Sequence, residues 1–305
     1  MNRMHASPRQ LKELYSKGEN ISAYLRNEAG LSDNTREIIE IAYDLQAGSY
    51  AKAMEDKEMA AFKAAYSAEI AKTILSLCEP GSILEAGVGE ATTLSGVIGN
   101  LPDTVINHGF DLSWSRLAYA KKWLHSQKIQ NTLLCSGDLL NIPFKDNSID
   151  VVYTSHSIEP NGGQEIPILR ELYRVTRNYL VLLEPGYEFA DDTVKKRMES
   201  HGYCKNLKNF AEQEGFEVVR HELFPLSVNV QNPTAIIVIR KGGTPASHRP
   251  QSALACPKYK TDLVSLAGML YSPESLVVYP VIDNIPCLRI ENGIFASHFQ
   301  ELLPK

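Results

Sequence analysis

A glycine turn between residues 85 and 91 is the first place in the chain where the backbone could hold a ligand. The turn reads EAGVGEA, and it places Glu85 ahead of two glycines, Gly87 and Gly89, that are separated by one residue. Because glycine has no Cβ, the main chain of such a turn can approach a bound molecule closely. Turns of this kind bind dinucleotides, nucleoside triphosphates or sulfonium cofactors, so the neighbouring residues must decide between them.

Two of these ligand classes do not fit the neighbouring residues. A phosphate-binding P-loop requires Lys and then Ser or Thr after its second glycine, and this pair is absent after Gly89. A dinucleotide fingerprint requires a third glycine where this chain has Thr92, and its acid lies about 20 residues further on. Here Asp111 follows Glu85 by about 26 residues. The remaining class is a sulfonium cofactor.

The acid and glycines of this turn, followed by Ala91, resemble the first motif of the class I S-adenosylmethionine-dependent methyltransferases. The resemblance extends over residues 40 to 241 and rests on four motifs in the family's order. It implies a Rossmann-like α/β fold, S-adenosylmethionine as the cofactor and methyl transfer as the reaction.

Two further acids follow the next two predicted strands, in GFDLS and SGDLL. The resemblance implies that Glu85 accepts hydrogen bonds from the cofactor's ammonium group, Asp111 from the ribose hydroxyls and Asp138 from the adenine amino group. Any one of these acids alone would more often cap a helix or occupy a turn, but three at consecutive strand ends favour a cofactor site. The predicted cofactor-binding residues are Glu85, Gly87, Gly89, Asp111, Leu112, Asp138, Leu139 and Ser155.

The segment after the fourth strand, SHSIEPNGG, contains the candidate catalytic residues His156 and Glu159. Histidine suits proton transfer at neutral pH, which an oxygen nucleophile often needs. In many related methyltransferases the segment reads His-x-Leu-Glu-His, and Pro160 replaces its second histidine here. His156 is therefore either a base or a residue that shapes the pocket. The segment also lacks the Asn/Asp-Pro-Pro-aromatic motif of enzymes that methylate exocyclic base amines.

The predicted substrate contacts come from three regions of the sequence. The fifth strand ends in LLEPGYE, and the N-terminal AYDLQAGSY resembles the segment that folds over the cofactor in small-molecule methyltransferases. Tyr43 and Tyr50 could close such a lid, although aromatic residues at helical spacing also serve as core. The predicted substrate-binding residues are Tyr50, Asn161, Glu184 and Tyr187.

The elements that must position these residues follow from hydrophobic periodicity. Residues 1–78 are predicted to form a helical cap or lid, and strands alternating with helices over residues 79–241 predict a doubly wound, seven-stranded sheet that is mainly parallel. The last two runs, FEVVRHELFPL and TAIIVIRK, have no helix between them, so they predict a terminal antiparallel hairpin. Residues 242–253, rich in Gly, Pro and Ser, predict a linker to a β-rich module over residues 254–305.

This C-terminal module resembles the small zinc-ribbon family related to the activator subunit of certain tRNA and protein methyltransferases. The match rests on Cys-Pro-x-Cys, Leu-x-Cys-x-x-Cys and YPVIDNIP. Cys256 is kept, but Tyr259, Ser272 and Ser275 replace the other cysteines. Structural zinc requires four good ligands, so we expect no metal. We expect the module to lean on the main domain, stabilised by Leu263, Leu270, Tyr279 and Ile285.

Composition limits the class of protein. The 305 residues carry 31 basic and 36 acidic side chains, a formal charge of -5 that does not suggest a nucleic-acid partner. Five dispersed cysteines are typical of reduced thiols, and no signal peptide or membrane span is evident, so a cytoplasmic location without membrane contact is expected. A homodimer is compatible with these features.

The leading hypothesis is a methyltransferase acting on a small polar metabolite, such as a sugar or a nucleotide-linked sugar. An RNA methyltransferase is the first alternative, because of the tail's resemblance to a tRNA-enzyme activator. A non-catalytic S-adenosylmethionine-binding scaffold is the second, because of Pro160 and the missing cysteines.

Overall fold

The computed structural model describes residues 6–227, 229, 231–242 and 252–302, and it shows an α/β domain with helices on both faces of one large sheet. The α-helices of the described residues are α1 Pro8–Ser16, α2 Ile21–Ala29, α3 Arg36–Leu45, α4 Ser49–Ala53, α5 Lys57–Leu77, α6 Thr92–Ile98, α7 Trp114–Ser126, α8 Glu165–Val175, α9 Asp192–Ser200, α10 Leu207–Gln213 and α11 Phe299–Leu302. The strands are β1 Ser82–Ala86, β2 Ile106–Asp111, β3 Thr132–Ser136, β4 Ile149–Ser155, β5 Thr176–Pro185, β6 Glu217–Leu223, β7 Thr234–Arg240, β8 Val264–Leu266, β9 Met269–Ser272, β10 Val277–Tyr279, β11 Val281–Ile282, β12 Ile285–Pro286 and β13 Ile294–Phe295.

The large sheet has the strand order β3-β2-β1-β4-β5-β7-β6. Strands β1 to β5 pair in parallel, whereas β7 runs antiparallel to both β5 and β6. The predicted seven-stranded sheet with a terminal antiparallel hairpin is therefore confirmed. The strand order reverses direction between β1 and β4, and open α/β sheets bind ligands at such a switch point.

The core lies on both faces of this sheet because successive strand residues point to opposite sides. Ile83 and Val151 pack with α5, α6 and α7 on one face. Leu84 and Val152 pack with α8 and α10 on the other. Strand β1 is buried along its whole length, which explains why its sequence reads as a continuous apolar run interrupted only by Glu85.

The N-terminal helices form a cap over the carboxyl edge of the sheet, and local signals define where they begin. Ser7 and Gln10 form a capping box ahead of α1, while Asn20, Thr35 and Asp56 cap α2, α3 and α5 through their side-chain oxygens. Helices α1 to α3 share a small apolar cluster of their own. Helix α5 packs on the sheet through the apolar cluster described above, and further polar contacts between the cap and the sheet edge are described below for the site.

The C-terminal residues form a separate antiparallel sheet of strand order β13-β10-β9-β8 and a small hairpin of β11 and β12. Two isolated bridges, Ser136 to Cys287 and Phe144 to Leu254, connect this module to the main domain. Tyr279 and Leu288 belong to the same buried cluster as the main sheet, and Leu263 and Leu270 pack against it. Ile285 belongs to the cluster on the opposite face.

The predicted division into four segments remains a prediction. Most of the predicted linker, residues 243–251, lies outside the described residues. Within the described parts of the chain, none of the helices combines the length and apolar character that crossing a lipid bilayer requires.

Candidate active site

The glycine turn between β1 and α6 has a backbone that requires glycine at Gly87. Its φ is +76°, and a Cβ built at this position would lie 2.2 Å from the Cβ of Ser157. Gly87 and Val88 donate backbone hydrogen bonds to the carbonyl of Phe110, at 2.9 and 2.8 Å, which hold the turn against β2. The turn therefore packs between the end of β2 and the residues that follow β4.

Asp111, the last residue of β2, is oriented by this turn. Its Oδ2 accepts a hydrogen bond of 2.8 Å from the backbone N–H of Gly89, and its Oδ1 accepts one of 2.9 Å from Ser113. Each carboxylate oxygen keeps a further lone pair for a ligand. Since Asp111 also lines the main cavity, its geometry suits the predicted contact with two ribose hydroxyls.

The turn opens onto a cavity of about 880 Å³ that runs along the carboxyl ends of β1 to β4 under the cap. This volume is within the range of about 300 to 1,000 Å³ that is usual for small-ligand sites. The structure brings most of the predicted site residues together as lining of this cavity. They are Glu85, Gly87, Gly89, Asp111, Leu112, Asp138, Leu139, Ser155, His156, Glu159, Tyr50 and Asn161.

Glu85 is a fully buried carboxylate at the end of the cavity beside the glycine turn, which we call the cofactor end because the predicted cofactor contacts Glu85, Asp111 and Asp138 line it. It accepts a hydrogen bond of 2.9 Å from the Tyr153 hydroxyl. Burial raises the pKa of Glu85 to about 8, and the nearby Lys63 opposes this shift. Burial also lowers the pKa of Lys63, whose ammonium group donates to Thr93 at 2.9 Å. A bound ammonium group would stabilise the charged form of Glu85, which is what the cofactor prediction requires.

Asp138 has a partner that sequence reasoning did not identify. Its Oδ2 accepts a hydrogen bond of 2.8 Å from Arg36 of the cap, and its Oδ1 accepts from the backbone N–H of Leu140 at 2.9 Å. Arg36 itself lines the cavity. Any contact of Asp138 with an adenine amino group therefore has to be shared with this guanidinium.

The cap is anchored to the glycine turn by Glu90, another residue that sequence reasoning missed. The buried Glu90 carboxylate accepts hydrogen bonds from the backbone N–H groups of Gly48, Tyr50 and Ala51, at 2.9, 3.4 and 2.6 Å. It thus satisfies the free N–H groups at the start of α4. Its position inside the EAGVGEA motif was the available signal.

Arg116 of α7 completes the cofactor end. Its guanidinium carbon lies 5.3 Å from the ring centroid of Tyr43 and 4.7 Å from that of Tyr50, and Asp111 is its strongest charged neighbour. Cation–π contacts of this kind hold the two tyrosines over the glycine turn. The predicted lid residues therefore do lie over the site, stacked on a cation that has no sequence signature.

Both ring nitrogens of His156 form hydrogen bonds with protein side chains. Its φ is +55°, its Nδ1 lies 2.5 Å from Glu159 Oε2, and its Nε2 lies 2.8 Å from the Thr234 hydroxyl. Burial opposes the charge on His156, but the bond to Glu159 outweighs it and raises the pKa of the imidazole. The carboxylate also accepts from Asn232 at 3.1 Å, and despite burial the pKa of Glu159 is lowered by these partners.

Two predicted substrate contacts lie away from the cavity lining. Glu184 is buried and accepts backbone hydrogen bonds from Ser157, Ile158 and Glu159, at 3.1, 3.1 and 3.0 Å. The Glu184 carboxylate therefore fixes the loop after β4 from the side that faces away from the cavity. Tyr187 donates a 2.6 Å hydrogen bond to Glu199 on the outer surface. Their proximity in sequence to the end of β5 was misleading, because the chain turns away from the cavity there.

Comparison with known proteins agrees with this geometry. A family model described as a methyltransferase domain matches residues 83–179, which extend from β1 into β5. No curated protein sequence matches the chain.

Solved structures similar to this chain include three that are described as methyltransferases or putative methyltransferases. A putative O-methyltransferase from Nostoc punctiforme is 15% identical, with a TM-score of 0.51, 66% of this chain and 60% of that chain covered. A putative methyltransferase from Bacillus halodurans is 16% identical (TM-score 0.47, 58% and 99% covered). An S-adenosylmethionine-dependent methyltransferase from Aquifex aeolicus is 19% identical (TM-score 0.43, 56% and 88% covered).

Residues 83–179 therefore match a methyltransferase domain. The predicted Rossmann-like fold is confirmed, and the family match supports the predicted class of enzyme, a methyltransferase. This match also agrees with the predicted cofactor, S-adenosylmethionine. The matched residues do not extend to the C-terminal module. The described residues contain no cluster of three or more His, Cys, Asp or Glu side chains that could hold a metal ion.

Substituting Gly87 with Ala should weaken S-adenosylmethionine binding at least tenfold, because the new Cβ would push Ser157 and the turn apart. A left-handed backbone costs a non-glycine residue about 1–2 kcal/mol wherever it occurs. Gly268→Ala is the matched control, since Gly268 has φ +75° with nothing within 4 Å of its Cβ position. Isothermal titration calorimetry should show the binding loss for Gly87→Ala alone. Equal effects of the two substitutions would contradict the steric explanation.

Cofactor binding should release a proton near pH 7. With its pKa raised to about 8, Glu85 is mostly protonated in the free protein, and a bound ammonium group favours the carboxylate. Affinity should therefore rise from about pH 6 to about pH 8. Calorimetry in buffers of different ionisation enthalpy measures the release, and Glu85→Gln should remove it. Proton exchange that is unchanged in Glu85→Gln would assign the linkage to another group, such as Lys63.

Proposed function

We propose that this protein transfers the methyl group of S-adenosylmethionine to a hydroxyl group of a small, uncharged, polar metabolite, with a sugar as the leading class. The observation that supports this most is the composition of one continuous cavity. Its cofactor end carries carboxylates, and the end next to His156, which we call the acceptor end, carries mainly neutral hydrogen-bonding groups.

The acceptor end is built from β4, the start of β7 and the loop before it. The Ser155 hydroxyl lies 3.1 Å from the hydroxyl of Tyr66, and Phe62 stacks on Tyr66 with a centroid distance of 5.9 Å. Hydroxyl and amide side chains together with aromatic faces suit a molecule that has several hydroxyl groups and an apolar ring face. The polar residues at this end are Ser155, Asn161, Gln164, Ser227, Asn229, Asn232 and Thr234.

The charges along the cavity favour an uncharged sugar over a nucleotide-linked one. Among the described residues, the Lys and Arg side chains that line the cavity are Arg36, Lys63 and Arg116. Each contacts or faces an acid of the cofactor end. A diphosphate usually requires Arg or Lys in direct contact. The cations near the acceptor end are His156, which is paired with Glu159, and Lys63, which lies over the Tyr66 ring and donates to Thr93.

The cap supports a small acceptor over RNA. Asn34 of the cap donates a 3.0 Å hydrogen bond to the carbonyl of Pro160, and Arg26 donates to the carbonyls of Ser200 and His201 at 3.0 and 3.1 Å. These bonds close the cap over the loop after β4. A polynucleotide would need an open basic groove at this position.

We further propose that His156 and Glu159 shape the acceptor end rather than transfer the proton. Both imidazole nitrogens are occupied, and the raised pKa of His156 favours its protonated form, which has no lone pair to act as a base.

Methyl transfer depends mainly on the alignment of the acceptor hydroxyl with the methyl group. The acceptor hydroxyl would gain the methyl group and lose its proton to water, with S-adenosylhomocysteine as the other product. S-adenosylmethionine supplies the electrophilic methyl group when bound. The protein's residues orient the acceptor hydroxyl, which is a large part of what such displacements require.

An acceptor screen tests the proposed substrate class. Formation of S-adenosylhomocysteine should be detected with uncharged sugars or polyols, and kcat/KM for nucleotide-linked sugars should be at least tenfold lower. Mass spectrometry of metabolites retained by the purified protein narrows the panel. Turnover restricted to tRNA, with RNA binding that falls steeply as salt increases, would establish the RNA alternative instead.

Steady-state kinetics with the identified acceptor can distinguish whether His156 shapes the acceptor end or acts as a general base. His156→Gln should raise KM for the acceptor about tenfold and change kcat less than fivefold, with the pH dependence of kcat unchanged. Loss of a general base typically costs about 10²–10⁴-fold in rate. A fall in kcat of that size with unchanged KM would identify His156 as the base.

A further inference from the structure

The C-terminal module reaches the cofactor end of the site through a defined backbone register. The N–H of Leu288 donates a 3.1 Å hydrogen bond to the carbonyl of Ser136, and Cys287 forms a parallel bridge with the same residue. Ser136 is the last residue of β3, two positions before Asp138. The module therefore extends the main sheet beside β3 and places Arg289 and Glu291 next to the cofactor end.

Arg289 and Glu291 contact the cap helix α3 through ion pairs. Arg289 binds the Glu40 carboxylate with both Nη1 and Nη2, the second pair at 2.8 Å. Glu291 pairs with Arg36, whose other nitrogen holds Asp138 at 2.8 Å. Since Arg36 and Glu40 are four residues apart on α3, they lie on the same face of the helix, which is the face toward the module.

The position of α3 matters for the cavity because this helix contributes Arg36, Ile39 and Tyr43 to its lining. Arg289 and Glu291 do not line the cavity. The Arg289 side chain is 13% exposed, and two-pronged arginine–carboxylate pairs are both strong and geometrically specific. The ion pairs thus connect a rigid sheet extension to the helix that forms one wall of the cofactor end.

We propose that the C-terminal module is a latch for the cofactor site: Arg289 and Glu291 are positioning residues that hold α3, and through Arg36 the Asp138 carboxylate, in the arrangement that binds S-adenosylmethionine. The module thereby takes part in cofactor binding from the same chain without touching the cofactor. Because apparent affinity falls with the fraction of molecules in the binding-competent arrangement, release of the latch weakens binding. The inference depends on binding of this cofactor, the basis of the proposed function.

The test compares two contacts that join the module to the main domain. Arg289→Ala removes the ion pair with Glu40 of the cap, whereas Lys121→Ala removes an ion pair of 2.9 Å between α7 and Asp283 that does not involve the cap. Titration calorimetry of the full chain with S-adenosylmethionine should give a Kd about tenfold higher for Arg289→Ala and within twofold of wild type for Lys121→Ala. Hydrogen exchange of α3 amides should increase only in Arg289→Ala.

Exchanging the charges of Glu40 and Arg289 distinguishes a specific effect of this ion pair on cofactor binding from a general loss of stability. Glu40→Arg and Arg289→Glu should each weaken cofactor binding, and the double variant should recover most of the affinity because the pair is restored in reverse. If Arg289→Ala does not fold, Glu291→Gln serves the same comparison. An Arg289→Ala Kd within twofold of wild type, or equal losses in Arg289→Ala and Lys121→Ala, overturns the latch. Absence of cofactor binding in the wild-type protein would instead overturn the proposed function.

Discussion

Burial of three carboxylates at one edge of the sheet is the constraint on which the site depends. Glu85, Asp111 and Asp138 are each less than a tenth exposed at the ends of adjacent strands. Ionising a buried carboxyl group is costly unless a cation lies near it, and the protein places a cation close to each of the three. Lys63 faces Glu85, Arg116 faces Asp111, and Arg36 binds Asp138.

The origin of these cations explains the docking of the cap. Lys63 and Arg36 belong to α5 and α3, so two of the three partners come from the N-terminal helices. The cap thus compensates charge in the free protein as well as covering the cavity. A cationic cofactor bound at these acids, as predicted, would bring further positive charge to them, and its entry would have to rearrange or share these contacts. Asp138 shows this most clearly, because Arg36 already occupies one of its oxygens.

Other buried carboxylates in the same region have a different task, which their neighbours set. Glu90 and Glu184 each accept three backbone N–H hydrogen bonds, Glu90 from the start of α4 and Glu184 from the loop after β4. Both replace missing main-chain partners where a loop passes over the sheet edge. Glu184 is buried enough that its pKa rises to about 7 despite these bonds. Its contribution to stability is therefore present at low pH and is lost as the pH rises through about 7.

This distinction marks how far sequence reasoning could go. The turn with Gly87 and Gly89, the strand ends and the terminal hairpin follow from local patterns, because periodicity and glycine geometry are short-range properties. Asp111 could be assigned because its strand ends directly at the acid. Glu184 also ends a strand, but it faces the loop backbone instead of the cavity, and sequence position alone does not reveal that.

The cationic partners were beyond prediction for a related reason. Arg36 lies about 100 residues from Asp138 in sequence, and Arg289 lies about 250 from Glu40. Nothing local in α3 distinguishes these side chains from an ordinary solvated helix face with alternating charges. Only the packing of the cap and the module against the sheet brings them together.

The C-terminal module shows how a small β fold can be held without four thiolate ligands. Cys256 and Ser272 each begin a five-residue turn that a backbone hydrogen bond of 2.8 Å closes, from Lys260 and Leu276 respectively, and both of these last residues have positive φ. The four residues in the predicted ligand positions therefore lie in two similar turns, one before β8 and one after β9. They are Cys256, Tyr259, Ser272 and Ser275.

Hydrogen bonds connect the side chains between these turns. The Cys256 sulfur lies 3.1 Å from the Tyr279 hydroxyl and 3.7 Å from the Ser275 hydroxyl, and Ser272 lies 2.6 Å from Thr261. Such bonds contribute about 1 kcal/mol each, far less than a structural metal site supplies. Apolar burial shared with the main domain adds to these bonds, because Cys256, Tyr279 and Leu288 join the cluster that includes Phe144. Because the module packs against the main sheet, it is held in a fixed register with β3. This register places Arg289 where it can pair with Glu40 of the cap.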